Sequence, residues 1–176
     1  MKKFFFSVAI VATLLFSAFT TYKAMNWKIA EGYAIKFTSD NPSGVFTSLK
    51  GDVVFDENNL AGSKFDVVVD AATISTGNGM KNKHARSEKW FDAAKYPNIK
   101  FTSSKIAKSA NGYEATGTME IHGVKKEITI PFAFANNTFS STFNVNRLDY
   151  NVGTTEGMSA KASKDLKIEL SVPVTK

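Results

Sequence analysis

The side chains of this 176-residue chain best suited to proton transfer or anion binding are two histidines, His84 and His122, and the arginine Arg147. The histidines fall in different elements, without the spacing that two ligands of one metal require. Cysteine is absent, which removes thiolate and zinc-thiolate chemistry together with disulfides. Gly77-Asn78-Gly79 lacks both the spacing and the Lys-Ser/Thr ending of a phosphate loop, and no serine stands in a nucleophile elbow. Asp66 and Asp70 share one strand face and read as solvated charges. No catalytic residue and no metal site is therefore assigned, and an enzyme is not expected.

Arg147 is the most informative charge, because it continues the inward parity of Phe143 and Val145 at the end of a strand. A guanidinium there must be paired or solvated, since an isolated buried charge is very costly. One reading pairs it with Asp149, Asp92 or another rim carboxylate; the other brings it to a ligand phosphate or carbonyl at a barrel mouth. His84 and Arg86 share a helical stretch with Lys81, Lys83 and Lys89. Such a run reads as a solvated face, or as a lid turned toward anionic head groups.

The elements that position these side chains are strands. Tyr113, Ala115, Gly117, Met119 and Ile121 alternate with Glu114, Thr116, Thr118, Glu120 and His122, the period of two of a half-buried strand. Gly123 turns the chain, and Val124, Ile128, Ile130, Phe132 and Phe134 return on one face, with Lys126 as the one misfit. Similar patterns run through Tyr33 to Phe37, Val45 to Phe55 with a bend at Gly51, Phe65 to Ala71, a strand beginning at Ile99, Phe139 to Val145, and Leu166 to Val174. About eight strands with little helix predict an all-β, eight-stranded antiparallel barrel that covers its own apolar face. One helix is expected over Lys83 to Ala94, capped by Asn82, broken by Pro97 and lying across one end. Its inward face would carry Met80, His84, Ser87 and Phe91.

Length and 43% hydrophobic content suit one globular domain, here residues 27–176. Lys2 and Lys3 ahead of an apolar run from Phe4 to Phe19 read as a signal peptide over residues 1–20, with cleavage between 18 and 25. The competing reading is an uncleaved membrane anchor, but the run is short for a membrane span, so the mature protein is expected to be periplasmic or secreted. The formal charge of +6 falls by two with Lys2 and Lys3 removed. That mild excess is compatible with transient contact at a membrane surface and gives no support to nucleic-acid binding. Oligomeric state stays open, a homodimer included.

Several motifs then occur in a familiar order: Thr73-Ile74-Ser75-Thr76-Gly77, His84-Ala85-Arg86-Ser87, Trp90-Phe91-Asp92, and Lys95-Tyr96-Pro97-Asn98-Ile99-Lys100-Phe101. They are followed by Gly117-Thr118-Met119-Glu120-Ile121-His122-Gly123-Val124-Lys125-Lys126 and by Asn146-Arg147-Leu148-Asp149-Tyr150. Together they resemble the YceI-like family over roughly residues 27–174. The resemblance implies a lipocalin-like barrel, exported in bacteria, whose tubular interior accommodates a polyprenyl lipid or quinone. No resident cofactor is implied beyond such a guest. Two departures concern the mouth: the histidines common near the family's N-terminus are missing, and Ala85 replaces the usual leucine. The family's head-group preference is not carried over for that reason.

The inward-parity set is Phe37, Val45, Leu49, Phe55, Phe65, Val67, Val69, Phe101, Tyr113, Met119, Ile121, Ile130, Phe132, Phe143 and Val145. Read from the residues alone these side chains either fill the barrel or line a cavity; the resemblance implies a ligand tube, with Arg147, His84 and Phe91 at its end. The expected function is an exported binding protein that sequesters or carries an isoprenoid lipid. Its rivals are a barrel enzyme acting on such a lipid and a filled barrel working through its surface.

Overall fold

The computed structural model describes residues 25–176, so the signal-peptide reading of residues 1–20 lies outside the described residues. Strand segments β1 (Asn26–Ile29), β2 (Ala34–Thr38), β3 (Gly44–Phe46), β4 (Lys50–Val54), β5 (Lys64–Asp70), β6 (Ile74–Ser75), β7 (Asn98–Ser109), β8 (Gly112–Ile121), β9 (Val124–Ala135), β10 (Thr138–Asn146) and β11 (Asp165–Thr175) form one antiparallel sheet. β1 and β2 lie along the same edge of β11, with Ile29 opposite Val174 and Phe37 opposite Ile168, so they are two halves of one kinked strand. β3 with β4, and β5 with β6, are halves in the same sense, because β3 pairs β2 and β6 while β4 pairs β1 and β5. The result is an eight-stranded meander closed by its first and last strands. Closure leaves no long free edge.

Alternation breaks at two places, and each break has a local cause. Between β3 and β4 the chain leaves the sheet, and the Tyr33 hydroxyl bridges the gap by donating to Thr47 O at 3.0 Å and accepting from Leu49 N at 3.2 Å. The inward phase shifts across this gap, so Phe46 faces inward opposite Ile35 while Val45 pairs with outward Lys36. Val45 to Phe55 is therefore not one uninterrupted strand, contrary to its parity. Gly51, expected to bend this run, has φ of 132° and sits against Asp66 O. In β7 the extra residue Ser104 forms a bulge, which turns the inward set from Phe101 and Ser103 to Ile106.

The helix α1 spans Gly79–Arg86, earlier than the expected Lys83 to Ala94. Asn78 caps it by accepting from Lys81 N at 3.0 Å, while Asn82 accepts the amide and the hydroxyl of Thr76, both at 2.8 Å. Ser87 ends the helix by donating its hydroxyl to His84 O at 2.6 Å. With this phase Met80 is 69% exposed and not on the inward face. The chain from Ser87 to Pro97 then runs as turns, with Asp92 at φ of 44°. At the β8–β9 turn, His122 and Gly123 both take positive φ, and the Tyr96 ring lies 4.7 Å from the His122 ring.

Lys126, the misfit of the β9 pattern, lies opposite inward Met119. Its stem runs along the wall and its ammonium reaches Asp149 at 3.2 Å and the Tyr150 ring at 6.0 Å.

The end of the barrel opposite α1 is closed by rings. Phe55, 1% exposed, stands 5.1–5.5 Å from the centroids of Tyr113, Phe132, Phe134 and Phe139 in edge-on or steeply tilted contact. Trp27 meets Phe134 at 5.3 Å and donates its indole N–H to Phe55 O at 2.9 Å. Tyr113 donates to Glu57 Oε1 at 2.6 Å, which pushes its phenol up to about 12.

The bulge creates a close approach that only glycine tolerates. A methyl group at Gly117 would come within 2.3 Å of Thr102 O and 2.6 Å of Ser103 Cα, both backbone atoms that cannot yield cheaply. Gly117→Ala is expected to lower the free energy of unfolding by about 2–3 kcal/mol, read as a lower urea midpoint with unchanged m-value. A midpoint equal to that of the parent would contradict this packing.

Candidate functional site

The apolar faces of the strands enclose a cavity of about 470 Å³ between the aromatic floor and the α1 end. Phe65, Phe132 and Phe139 form its floor, where they meet the rings around Phe55. Its walls are aliphatic and aromatic, including Val67, Ile130, Ile168 and Leu170. Such a size and lining are typical of small-molecule sites.

Phe37, Leu49, Phe65, Val67, Val69, Phe101, Met119, Ile121, Ile130, Phe132, Phe143, Val145, His84, Phe91 and Arg147 all border this cavity. Three expected members do not. Val45 turns outward through the phase shift at β3, and Phe55 and Tyr113 lie in the ring cluster beyond the floor. The inward set thus divides by height: low on the axis it seals the barrel, higher up it walls a void.

Other lining residues were not singled out from the pattern. Leu166, Ile168, Leu170 and Val172 of β11 and Ile35 of β2 show clear alternation and could have been included on that signal alone. Phe46 was hidden by the phase shift. Trp90 falls in the expected helix but off its expected inward face of Met80, His84, Ser87 and Phe91, and it turns inward because this stretch is a series of turns instead.

Three segments meet over the mouth: α1, the 39–43 turn and the 147–163 stretch. Asn41 joins them, accepting from Lys81 Nζ at 3.2 Å, donating its amide to Lys161 O at 3.0 Å, and exchanging bonds with Ser163 through its backbone. Phe91 packs at 5.9 Å from Phe46, which lies 5.8 Å from Phe37, so a row of rings ties the post-helix turn to the wall. His84 borders the cavity from the exposed side of α1, far from His122 in sequence and in a different element. Among the described residues no three His, Asp or Glu side chains converge on one point.

Arg147 is 4% exposed, and its partners are carbonyls. Nε donates to Ser163 O at 2.9 Å, Nη1 to Val152 O at 2.7 Å, and Nη2 faces Thr154 O, Ser159 O and Ala162 O at 3.1–3.3 Å. The Trp90 ring lies 5.0 Å from the guanidinium carbon. The expected ion pair with Asp149 or Asp92 is absent from these contacts; Asp149 is held by Lys126. Burial lowers the pKa of this guanidinium, and arginine still keeps its proton at any physiological pH. Most of its N–H groups are committed to the protein, so Arg147 serves first as the staple of the mouth loop and has little capacity left for direct contact with a guest.

Arg147→Met would leave five carbonyls of the mouth loop without their donor. It is expected to cost about 2–4 kcal/mol of stability and to speed amide hydrogen exchange at Val152 and Ser163. Arg147→Lys, which keeps the charge and loses the fork, is expected to leave exchange fast. Full protection in the lysine variant would show that charge, not the fork of hydrogen bonds, holds the loop.

Comparison with known proteins agrees with this architecture. A model of the YceI-like domain matches residues 5–174. A UPF0312 protein of Yersinia enterocolitica is 30% identical over 139 residues, covering 73% of this chain and 71% of that protein. A UPF0312 protein of Vibrio parahaemolyticus is 36% identical over 115 residues, 64% of this chain and 58% of its own length. The crystal structure of Burkholderia cenocepacia BcnA superposes with a TM-score of 0.76 at 28% identity, covering 85% of this chain and 100% of that one. A polyisoprenoid binding domain from Saccharophagus degradans shares the fold at a TM-score of 0.57 and 14% identity, over 85% of this chain and 97% of that one. The match of the domain model over nearly the whole length, together with the closed barrel described above, places this chain in the YceI-like family.

Proposed function

We propose that this chain binds the tail of an isoprenoid lipid, a polyprenyl lipid or a quinone, inside its barrel and shields it in an aqueous compartment. The observation that carries this reading is the cavity itself: about 470 Å³ of space with apolar walls, closed at one end by rings and reached through a loop-covered mouth. The description of one structural relative as a polyisoprenoid binding domain supports it.

Energetics favour tail burial as the main source of affinity. Each methylene removed from water contributes about 0.8 kcal/mol, whereas one neutral hydrogen bond contributes about 1 kcal/mol net. A few prenyl units therefore outweigh any single polar contact at the rim. Binding without turnover fits a cavity that no aspartate or glutamate of the described residues borders and whose buried Arg147 is committed to structure, and it sets the reading apart from a lipid-modifying enzyme. Release would proceed at the mouth, where the cover is joined by the Asn41 hydrogen bonds and not by strand pairing. Export to the periplasm or the medium, as the first twenty residues suggest, would give such a carrier its aqueous gap to cross.

Mass spectrometry of an organic extract from natively purified protein tests the central point. A prenyl lipid at close to one equivalent, chemically unchanged, is the expected result. Val67→Phe, which fills the middle of the cavity, is expected to lower the recovered lipid at least tenfold while leaving the circular dichroism spectrum unchanged. An empty extract, together with failure of the purified protein to take up added farnesol, would contradict the proposal. Intact mass of the mature chain tests export separately: removal of the first 18–25 residues is expected, and a full-length secreted chain would contradict it.

A further inference from the structure

The two ends of the cavity differ in chemistry. The floor is phenyl rings, Phe65, Phe132 and Phe139. The ionisable side chains toward the mouth are Lys81, His84, Lys161, Arg147 and Tyr150, and burial together with Asp149 raises the pKa of the Tyr150 phenol, which keeps it neutral. Lys36 is also among the bordering residues, but it is exposed and stands on the outer face of β2, between inward Ile35 and Phe37. Among the described residues that line the cavity there is no aspartate or glutamate.

The carboxylates of the same end are turned to other work. Asp149 meets Lys126 at 3.2 Å, Asp165 accepts from Asn146 at 2.9 Å, and Asp70 accepts from Ala72 N at 2.8 Å. Asp40, Asp92 and Glu156 lie in the mouth segments without bordering the cavity.

Arg147 sharpens this asymmetry. Its partners are neutral carbonyl dipoles and an indole face, so the charge is solvated but not cancelled. An uncancelled positive charge beside a chamber with apolar walls projects its field into that chamber more strongly than it would in water. Lys81 and Lys161 both border the cavity, and Asn41 ties their segments together, accepting from the ammonium of Lys81 and donating to the backbone carbonyl of Lys161. A neutral head group gains nothing from this arrangement, whereas a phosphate or carboxylate finds two exposed lysines and a fixed field of the right sign.

We infer that the barrel selects amphiphiles with an anionic head group, either a prenyl phosphate or a fatty carboxylate. The head lies at Lys81 and Lys161 over the field of Arg147, and the tail points to the phenyl floor. This inference rests on the tail-burial reading above and names the head-group class for the same site.

Competition between matched tails tests it in the full-length mature protein. The compounds are farnesol against farnesyl phosphate, and hexadecanol against hexadecanoate, each displacing the fluorescent probe N-phenyl-1-naphthylamine. In at least one pair the anion is expected to bind about tenfold more tightly at low ionic strength, with the ratio shrinking as salt rises to 1 M. The pair with the larger ratio identifies phosphate or carboxylate as the head. The double variant K81Q/K161Q is expected to reduce the ratio to threefold or less; because the ratio compares two ligands on the same protein, it cancels whatever loss of the Lys81–Asn41 bond does to the cover. Equal affinity within both pairs would overturn the inference while leaving tail burial intact. An undiminished ratio in the double variant would overturn the assignment to these lysines. Failure of all four compounds to displace the probe would instead remove the tail-burial reading, and this inference with it.

Discussion

Closing eight strands into a barrel creates an interior that must be filled by its own side chains or by something else, and every other feature of this molecule follows from how that interior is divided. The chain places its rings unevenly. Phe55, Tyr113, Phe132, Phe134, Phe139 and Trp27 crowd toward one end, where edge contacts of 4.5–5.5 Å leave no room for a guest. Toward the other end the inward positions carry mostly valine, isoleucine and leucine, whose side chains do not span the barrel. The cavity is the space that these shorter side chains leave.

The open end poses a different problem, because loops crossing a barrel mouth bring carbonyls that must find donors. Arg147 answers it. A single buried guanidinium gathers carbonyls from Val152 to Ser163, and Trp90 covers its remaining face. A neutral donor of the same reach does not exist among the amino acids, and a lysine lacks the fork. The charge that comes with the fork then shapes the field at the mouth. On the inference drawn above, one side chain then serves both architecture and recognition.

The closed antiparallel barrel was legible because period-two alternation survives in β5, β8, β9, β10 and β11, each long enough to declare its inward face. Legibility ended where alternation did. The gap at residues 47–49 shifts phase through a Tyr33 hydroxyl distant in sequence, so parity puts Val45 inward and hides Phe46. Asn78 and Asn82 are equally good caps on local grounds, and the choice between them was made by Thr76, whose amide needed the Asn82 side chain. For Arg147 the inward position was readable from parity, but its partners were not, because they come from a loop with no regular period. The division of the rings into floor and wall depends on height along the barrel axis, a coordinate that strand parity does not carry.

The family relation supports the fold over the whole described chain, while the mouth is where this chain speaks for itself. Its central claim is that a tail lies along the barrel axis above the phenyl floor. Intermolecular nuclear Overhauser effects from farnesol to isotope-labelled methyl groups test that most directly. Contacts from the prenyl methyls to Val67, Ile130, Ile168 and Leu170 are the predicted result. Contacts confined to outward-facing methyls such as Val45, with none at those four wall positions, would contradict the account.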